Sequence, residues 1–264
     1  MTIGFIGAGK MAEAMMGAWL RVGLVGVGDL VASDVDAARR RWIRDRLGVK
    51  TTASNAEVAV AERVVLAVKP QHLQEALSGL PGSAMDGRLV LSILAGKRTA
   101  FLQDLMRGAR IVRVMPNLPC VVGEGMSAFC CGAGVSREDA EQVRELLAAF
   151  GKAVELPEDR FDAVTALSGS GPAFFSYVLD RLSDAAVSEG LSRDDALLLA
   201  KQTMLGTARL LLEQGMDPKE LIASVASAKG TTAAGLAVLE ASDLGVVLKR
   251  TIEAAARRSR ELSA

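Results

Sequence analysis

Thr2-Ile3-Gly4-Phe5-Ile6-Gly7-Ala8-Gly9-Lys10-Met11-Ala12 runs from an apolar β-type segment straight into G-x-G-x-x-A. A helix-forming stretch, Glu13–Arg21, follows without a break. That order leaves few folds open, because each small residue has a separate job. Gly7 permits a tight turn, Gly9 lets the backbone approach a pyrophosphate, and Ala12 lets the helix pack closely on the strand. The unpaired N–H groups at the helix start favour anionic phosphates. The segment therefore predicts a nicotinamide dinucleotide site; a glycine-rich βα turn with no ligand is the competing reading.

The rest of the chain falls into two grammars. Up to residue 157, short β-branched runs alternate with helical patterns. Strands are predicted at Ile3–Ile6, Leu30–Ser33, Val64–Val68, Leu89–Ile93, Ile111–Val114, Met126–Cys131 and Ala153–Leu156. Alternation of this kind means right-handed βαβ units and a mostly parallel, doubly wound sheet, a Rossmann-type α/β fold. From residue 158 to 264 only helical patterns remain: Pro172–Glu189, Arg193–Gln214, Pro218–Ala226, Thr232–Glu240 and Asp243–Leu262. The stretch Ala196 to Leu212 is apolar almost all round, which marks a helix buried on most sides. So few helices can hardly bury that surface alone, and an intertwined homodimer is expected of this all-α domain.

Composition removes whole classes of function. Acidic and basic residues balance at 31 each and aromatics make up 4%, so neither a nucleic-acid partner nor a base-stacking platform is expected. No run approaches a membrane helix in length, and the first strand starts too early to leave room for a signal peptide. The three cysteines, Cys120, Cys130 and Cys131, form no disulfide or ligand framework and fit a reducing cytoplasm. His72, the only histidine, sits where a surface helix begins, so Ser-His-Asp chemistry and a histidine-built metal site have almost nothing to work with, and no metal is expected. Catalysis must rest on a cofactor, hydroxyls, lysines, carboxylates or backbone amides.

Four further motifs can carry it. Ala67-Val68-Lys69-Pro70-Gln71 leaves a strand at the sheet edge where ligands gather, so Lys69 either touches the cofactor or is a surface lysine. Val114-Met115-Pro116-Asn117 is another strand exit, with Asn117 either a polar contact or the cap of its own turn. Leu167-Ser168-Gly169-Ser170-Gly171-Pro172 opens a long helix as a packing turn, an anion nest or a plain cap. Ser227-Ala228-Lys229-Gly230-Thr231-Thr232 leads small residues and two hydroxyls into a helix N-terminus. Amides there can hold a carboxylate, and a threonine there can equally serve as a cap.

Taken in order, FIGAGKMA, AVKPQ, VMPN, ALSGSGPAF and GTT resemble pyrroline-5-carboxylate reductases over the whole chain. The resemblance implies NAD(P)H-dependent reduction of the imine of 1-pyrroline-5-carboxylate to proline, the last step of proline synthesis. It implies a Rossmann domain and a helical domain that interleaves into a dimer, often assembled into a pentamer of dimers. Thr232 would contact the ring nitrogen, with Thr231, Gly230 and Ser227 forming the carboxylate cradle. Glu158 matches a family position near substrate, although a linker surface charge explains it equally. The cofactor set comprises Ile6, Gly7, Ala8, Gly9, Lys10, Met11, Ser33, Asp34, Asn55, Ala67, Val68, Lys69, Pro70 and Ala95. Two departures stand out: the family's Pro-Gly-Gly before the threonine pair is Ala228-Lys229-Gly230, and its Asn-Thr-Pro is Asn117-Leu118-Pro119.

Reducing a cyclic imine asks little of a protein, which suits a chain with one histidine. Competing readings are a reductase of another small imine or β-hydroxy acid, and a catalytically weak regulatory relative. The stretch Pro172 to Glu189 contains no lysine, which counts against the hydroxy-acid reading. At the adenosine end, Asp34 suits the ribose hydroxyls of NADH, whereas Ser33 and the run Arg39, Arg40, Arg41 suit the phosphate of NADPH. The balance favours NADPH with NADH usable.

Overall fold

The computed structural model describes residues 1–263. Eight strands form one sheet: β1 (Ile3–Ile6), β2 (Leu30–Ser33), β3 (Lys50–Thr52), β4 (Arg63–Leu66), β5 (Leu89–Ser92), β6 (Arg110–Met115), β7 (Gly125–Cys131) and β8 (Gly151–Glu155). Their spatial order is β3-β2-β1-β4-β5-β6-β7-β8. Every neighbouring pair is parallel except β6 with β7, which is antiparallel. β1, β4 and β5 are apolar runs because both sheet faces are covered. The chain runs outward from β1 to β3 on one side and from β4 onward on the other. Beside β1 and β4 lies the crevice where such sheets bind ligands.

Helices α1 (Lys10–Arg21), α2 (Ala37–Leu47) and α6 (Arg137–Ala148) contribute to one face, α3 (Asn55–Ala59), α4 (Leu73–Leu77) and α5 (Thr99–Leu105) to the other. Trp19 is the keystone of the first face. Its ring lies 5.5 Å from Phe5 and 6.5 Å from Phe150, and its Nε1 donates to the Leu146 carbonyl at 2.7 Å. Each such aromatic contributes roughly 1.5–3 kcal/mol by leaving water. The second face packs Ile6, Leu66, Leu73, Leu102 and Ile111.

β3 is absent from the sequence expectation, and the bounds of β4 to β8 differ from it by one or two residues. β3 is a polar edge strand with no apolar alternation to announce it. β4 ends at Leu66 rather than Val68, because the chain turns there toward Lys69-Pro70, although the Ala67 N–H still donates to the Ile6 carbonyl at 2.8 Å.

The chain divides into two compact units. One comprises Met1–Ser170 and the end of the last helix from Ala255 onward, and the other Gly171–Ala254. α7 (Phe161–Val164) belongs to the first. α8 (Gly171–Ser188), α9 (Arg193–Gln214), α10 (Pro218–Val225), α11 (Thr231–Ala241) and most of α12 (Leu244–Ser263) form the second. In α9 only Ala196 is buried. Leu198, Leu212 and Val238 stand 67%, 71% and 70% exposed, so a single chain leaves this unit's apolar faces uncovered.

Candidate functional site

One rung of the sheet organises the first unit: Thr52, Ser33, Ile6, Leu66, Ser92, Arg113 and Cys130 are successive register partners. The residues that follow Ser33, Ile6, Leu66 and Ser92 leave the sheet on one edge, which brings Gly7, Asp34, Ala67 and the chain leading to Ala95 to a common side. Gly7 takes φ +96°, and a Cβ there would stand 2.8 Å from the Ala67 carbonyl and the Val68 nitrogen. Gly9 differs. Its φ is −64°, and a Cβ would meet no protein atom within 4 Å. The fold needs the first glycine, whereas no protein atom requires the second. The N–H groups of Gly9, Lys10 and Met11 have no acceptor among the described residues. An open space lined by free amides at a helix start fits a pyrophosphate.

Just past β2, Asp34 Oδ2 accepts the Ala8 N–H and Oδ1 accepts the Asp36 N–H, both at 2.9 Å. Ser33 is fully buried, and its hydroxyl donates to Asn55 Oδ1 at 2.6 Å, while Asn55 Nδ2 donates to the Ala76 carbonyl at 2.9 Å. Ser33 is thus an internal strut in this structure rather than an exposed donor. Arg39 donates through Nε to the Ala8 carbonyl and pairs with Glu13. Burial raises the Glu13 pKa, but the Trp42 and Arg39 hydrogen bonds and the charges of Arg39 and Arg46 outweigh it and hold the carboxyl below its ordinary value. Arg40 Nη1 donates to the Asp34 and Val35 carbonyls at 2.7 and 3.0 Å. Arg41 is exposed.

Along the same edge Lys69 is exposed and Ala67, Val68 and Pro70 are half-buried. Ala95 is exposed and heads the loop into α5. Asn117 joins two segments: its Oδ1 accepts the Met126 N–H at 2.8 Å, and its Nδ2 donates to Ser168 O and Oγ at 3.3 Å. Ser168 lies in a wide helical turn, Thr165–Gly169, where the Ser170 N–H reaches back to Thr165 O. A Cβ at Gly169 would stand 2.7 Å from Met115 Cε, the mobile end of a side chain that would have to shift.

Glu158 is not a free linker charge. It accepts the Thr99 N–H at 2.8 Å and the Thr99 hydroxyl at 3.0 Å, and pairs with Arg113 at 3.2 Å. Arg113, only 4% exposed, stacks on Phe161 at 4.7 Å. Sequence reasoning assigned no role to Arg113 or Thr99. A charge inside the apolar run Ile-Val-Arg-Val-Met was the available signal, since a buried guanidinium demands a partner. Burial above all, with Glu158 adding, pushes the Cys130 thiol up to about 12, and burial with Glu155 pushes Cys131 to about 11, which disfavours the thiolate at both.

In the helical unit, Ser227 to Gly230 forms a tight turn in which the Gly230 N–H donates to the Ser227 carbonyl at 3.0 Å. Lys229 holds φ +62°, the left-handed region that the departure from Pro-Gly-Gly imposes on a lysine. Gly230 then caps α11. The N–H groups of Thr231, Thr232 and Ala233 and both threonine hydroxyls have no partner among the described residues. Thr232 also lines an open groove of about 590 Å³, with Leu210, Leu211, Leu221 and Leu236.

Comparison with known proteins agrees with both halves. Residues 158–262 match the family described as Pyrroline-5-carboxylate reductase dimerisation, and residues 2–96 the family NADP oxidoreductase coenzyme F420-dependent. A pyrroline-5-carboxylate reductase from Coxiella burnetii superposes with TM-score 0.94 at 30% identity, covering 100% of this chain and 98% of that one. A Plasmodium falciparum pyrroline carboxylate reductase with NADP bound gives TM-score 0.87 at 28% identity, covering 100% and 98%. Fold and glycine loop together define a Rossmann-type nicotinamide-dependent oxidoreductase. A pyrroline-5-carboxylate reductase of Methanosarcina acetivorans is 41% identical over 98% of this chain and 97% of its own length. The chain belongs to the pyrroline-5-carboxylate reductase family: it is an NAD(P)H-dependent, homo-oligomeric enzyme that reduces 1-pyrroline-5-carboxylate to proline. Among the described residues no single helix is long and apolar enough to cross a membrane.

Proposed function

We propose that the start of α11 is where this chain handles its substrate, with Thr232 as the catalytic residue. The carrying observation is a helix N-terminus with two unpartnered hydroxyls and three free amides in its first turn. The Thr232 hydroxyl donates a hydrogen bond to the ring nitrogen, which draws electron density out of C=N, and its proton passes to the nitrogen as the adjacent carbon takes the hydride, to be replaced from solvent. Thr231, Gly230 and Ser227 form the cradle for the carboxylate, helped by the positive end of the helix. Gly7 to Met11, Asp34 and the edge formed by Ala67, Val68, Lys69, Pro70 and Ala95 would hold the dinucleotide. Its nicotinamide, when bound, supplies the hydride to that carbon.

Thr232→Ala tests the assignment. A hydrogen bond that strengthens as the reaction proceeds is worth about 1.5–3 kcal/mol when charge develops, so kcat falls about ten- to a hundredfold while NADPH affinity holds. Thr232→Ser retains most of the rate. An unchanged kcat/KM in Thr232→Ala removes the residue from the mechanism.

The uncovered faces of α8 to α12 support a dimer or a pentamer of dimers, and three free cysteines support a cytoplasmic setting. Sedimentation velocity then shows an even-numbered assembly, and a stable monomer at micromolar concentration contradicts it.

A further inference from the structure

Arg39, Trp42 and Arg46 stand at i, i+3 and i+7 of α2, which puts them on one face of that helix. The face converges on a single carboxylate in the first turn of α1. Glu13 Oε2 accepts from Arg39 Nη2, Oε1 accepts from Trp42 Nε1 at 3.0 Å, and Arg46 Nε stands 3.4 Å from that same oxygen. The Arg46 guanidinium also lies over the Trp42 ring, 5.5 Å from its centre. Glu13 and Arg39 are each 21% exposed, so their pair is partly shielded from water.

Arg39 spends only two of its five donors inside the protein, Nε on the Ala8 carbonyl and one Nη2 hydrogen on Glu13. Its Nη1 has no partner among the described residues, and no ion pair joins it to Asp34 there. The neighbouring Arg40 differs, because its Nη1 is turned back onto the Asp34 and Val35 carbonyls and braces the turn after β2. Ala8, whose carbonyl Arg39 meets, gives its own N–H to Asp34. Arg39 is thus a guanidinium fixed at two points, with a charged edge left over, between the glycine loop and the end of β2.

We infer that Glu13 is a positioning residue that sets the preference for the phosphorylated cofactor: it holds the Arg39 guanidinium in advance for the ribose 2′-phosphate. This rests on the reading that the ribose-side end of the dinucleotide lies at Asp34. An arginine ordered only when the phosphate arrives loses its rotamer freedom at that moment, which weakens binding; one already held does not. Glutamine cannot replace the carboxylate. It has one acceptor oxygen for the Arg39 and Trp42 donors, and its amide turns a donor toward the other. Charge alone argues the opposite way, since removing an acid beside Arg39 draws a phosphate in more strongly. The sign of the effect therefore separates holding from repulsion.

The experiment is calorimetric binding of NADPH and of NADH to the wild-type oligomer, Glu13→Gln, Arg39→Ala and the double variant. In Glu13→Gln, NADPH weakens about three- to tenfold, the cost of ordering one long side chain, while NADH stays within about twofold. Glu13→Asp, which keeps the charge at shorter reach, recovers part of the NADPH affinity. The double variant is no worse than Arg39→Ala alone, because Glu13 acts only through that side chain. Unchanged or tighter NADPH binding in Glu13→Gln overturns the inference. Equal weakening of both cofactors overturns it too, making Glu13 a brace of the glycine loop. If Arg39→Ala leaves the ratio of NADPH to NADH affinity untouched, the placement of the ribose-side end has failed and takes the inference with it.

Discussion

Gly7 approaches the carbonyl of Ala67 so closely that a Cβ would stand 2.8 Å from it, yet two residues later a Cβ on Gly9 would touch nothing. The glycine loop thus contains one residue chosen by the fold and one chosen by what the loop holds. This separation makes the two glycines experimentally distinguishable.

Gly9→Val should fold with little change in thermal stability, because the protein has room for the side chain, and should lose NADPH binding by calorimetry. Gly7→Ala should instead unfold more easily, by about 1–2 kcal/mol from the backbone conformation alone. A Gly9→Val protein that binds NADPH normally shows that the pyrophosphate does not lie on this loop.

Lys229 is the only residue other than glycine with positive φ among the described residues. Relieving it with Lys229→Gly recovers about 1 kcal/mol of backbone strain, partly offset by the greater freedom of glycine in the unfolded chain. The expected outcome is an unchanged or slightly raised melting temperature and a KM for pyrroline-5-carboxylate no higher than the parent's. Lys229→Val, β-branched at the same φ, should raise that KM. If Lys229→Gly raises it instead, the ammonium group itself helps to hold the carboxylate.

Arg39 donates to the Ala8 carbonyl and Arg40 to the Asp34 carbonyl, next to residues proposed to hold the dinucleotide. Arg39→Ala should lower kcat/KM about tenfold or more with NADPH and much less with NADH, as expected for a charge-assisted bond to the 2′-phosphate. An equal loss with both cofactors means that Arg39 only braces the loop through the Ala8 carbonyl.

The sequence was most readable where one segment carries its own instructions. β1 and β2 lie at the predicted bounds because four-residue apolar runs flanked by turn residues leave little choice. The strain at Lys229 was visible too, because a glycine position filled by lysine keeps its φ. β3 escaped notice because Lys50-Thr51-Thr52 is a polar edge strand specified by its pairing with β2. Glu158 reads in sequence as a linker charge or a substrate contact, and its partners Thr99 and Arg113 are brought to it only by the sheet. Ser33 and Asn55 read in sequence as two separate cofactor contacts, and the structure adds that the Ser33 hydroxyl donates to Asn55 Oδ1 at 2.6 Å. Local pattern announces where a strand ends but not which way its last side chain points.

The central claim is that this chain transfers hydride to the imine carbon of pyrroline-5-carboxylate. NADPH deuterated at the transferable C4 position should be oxidised only when pyrroline-5-carboxylate is added, and mass spectrometry should find one deuterium on the ring carbon next to nitrogen in the proline formed. Nucleotide binding without substrate-dependent oxidation, or proline without the label at that carbon, contradicts the account.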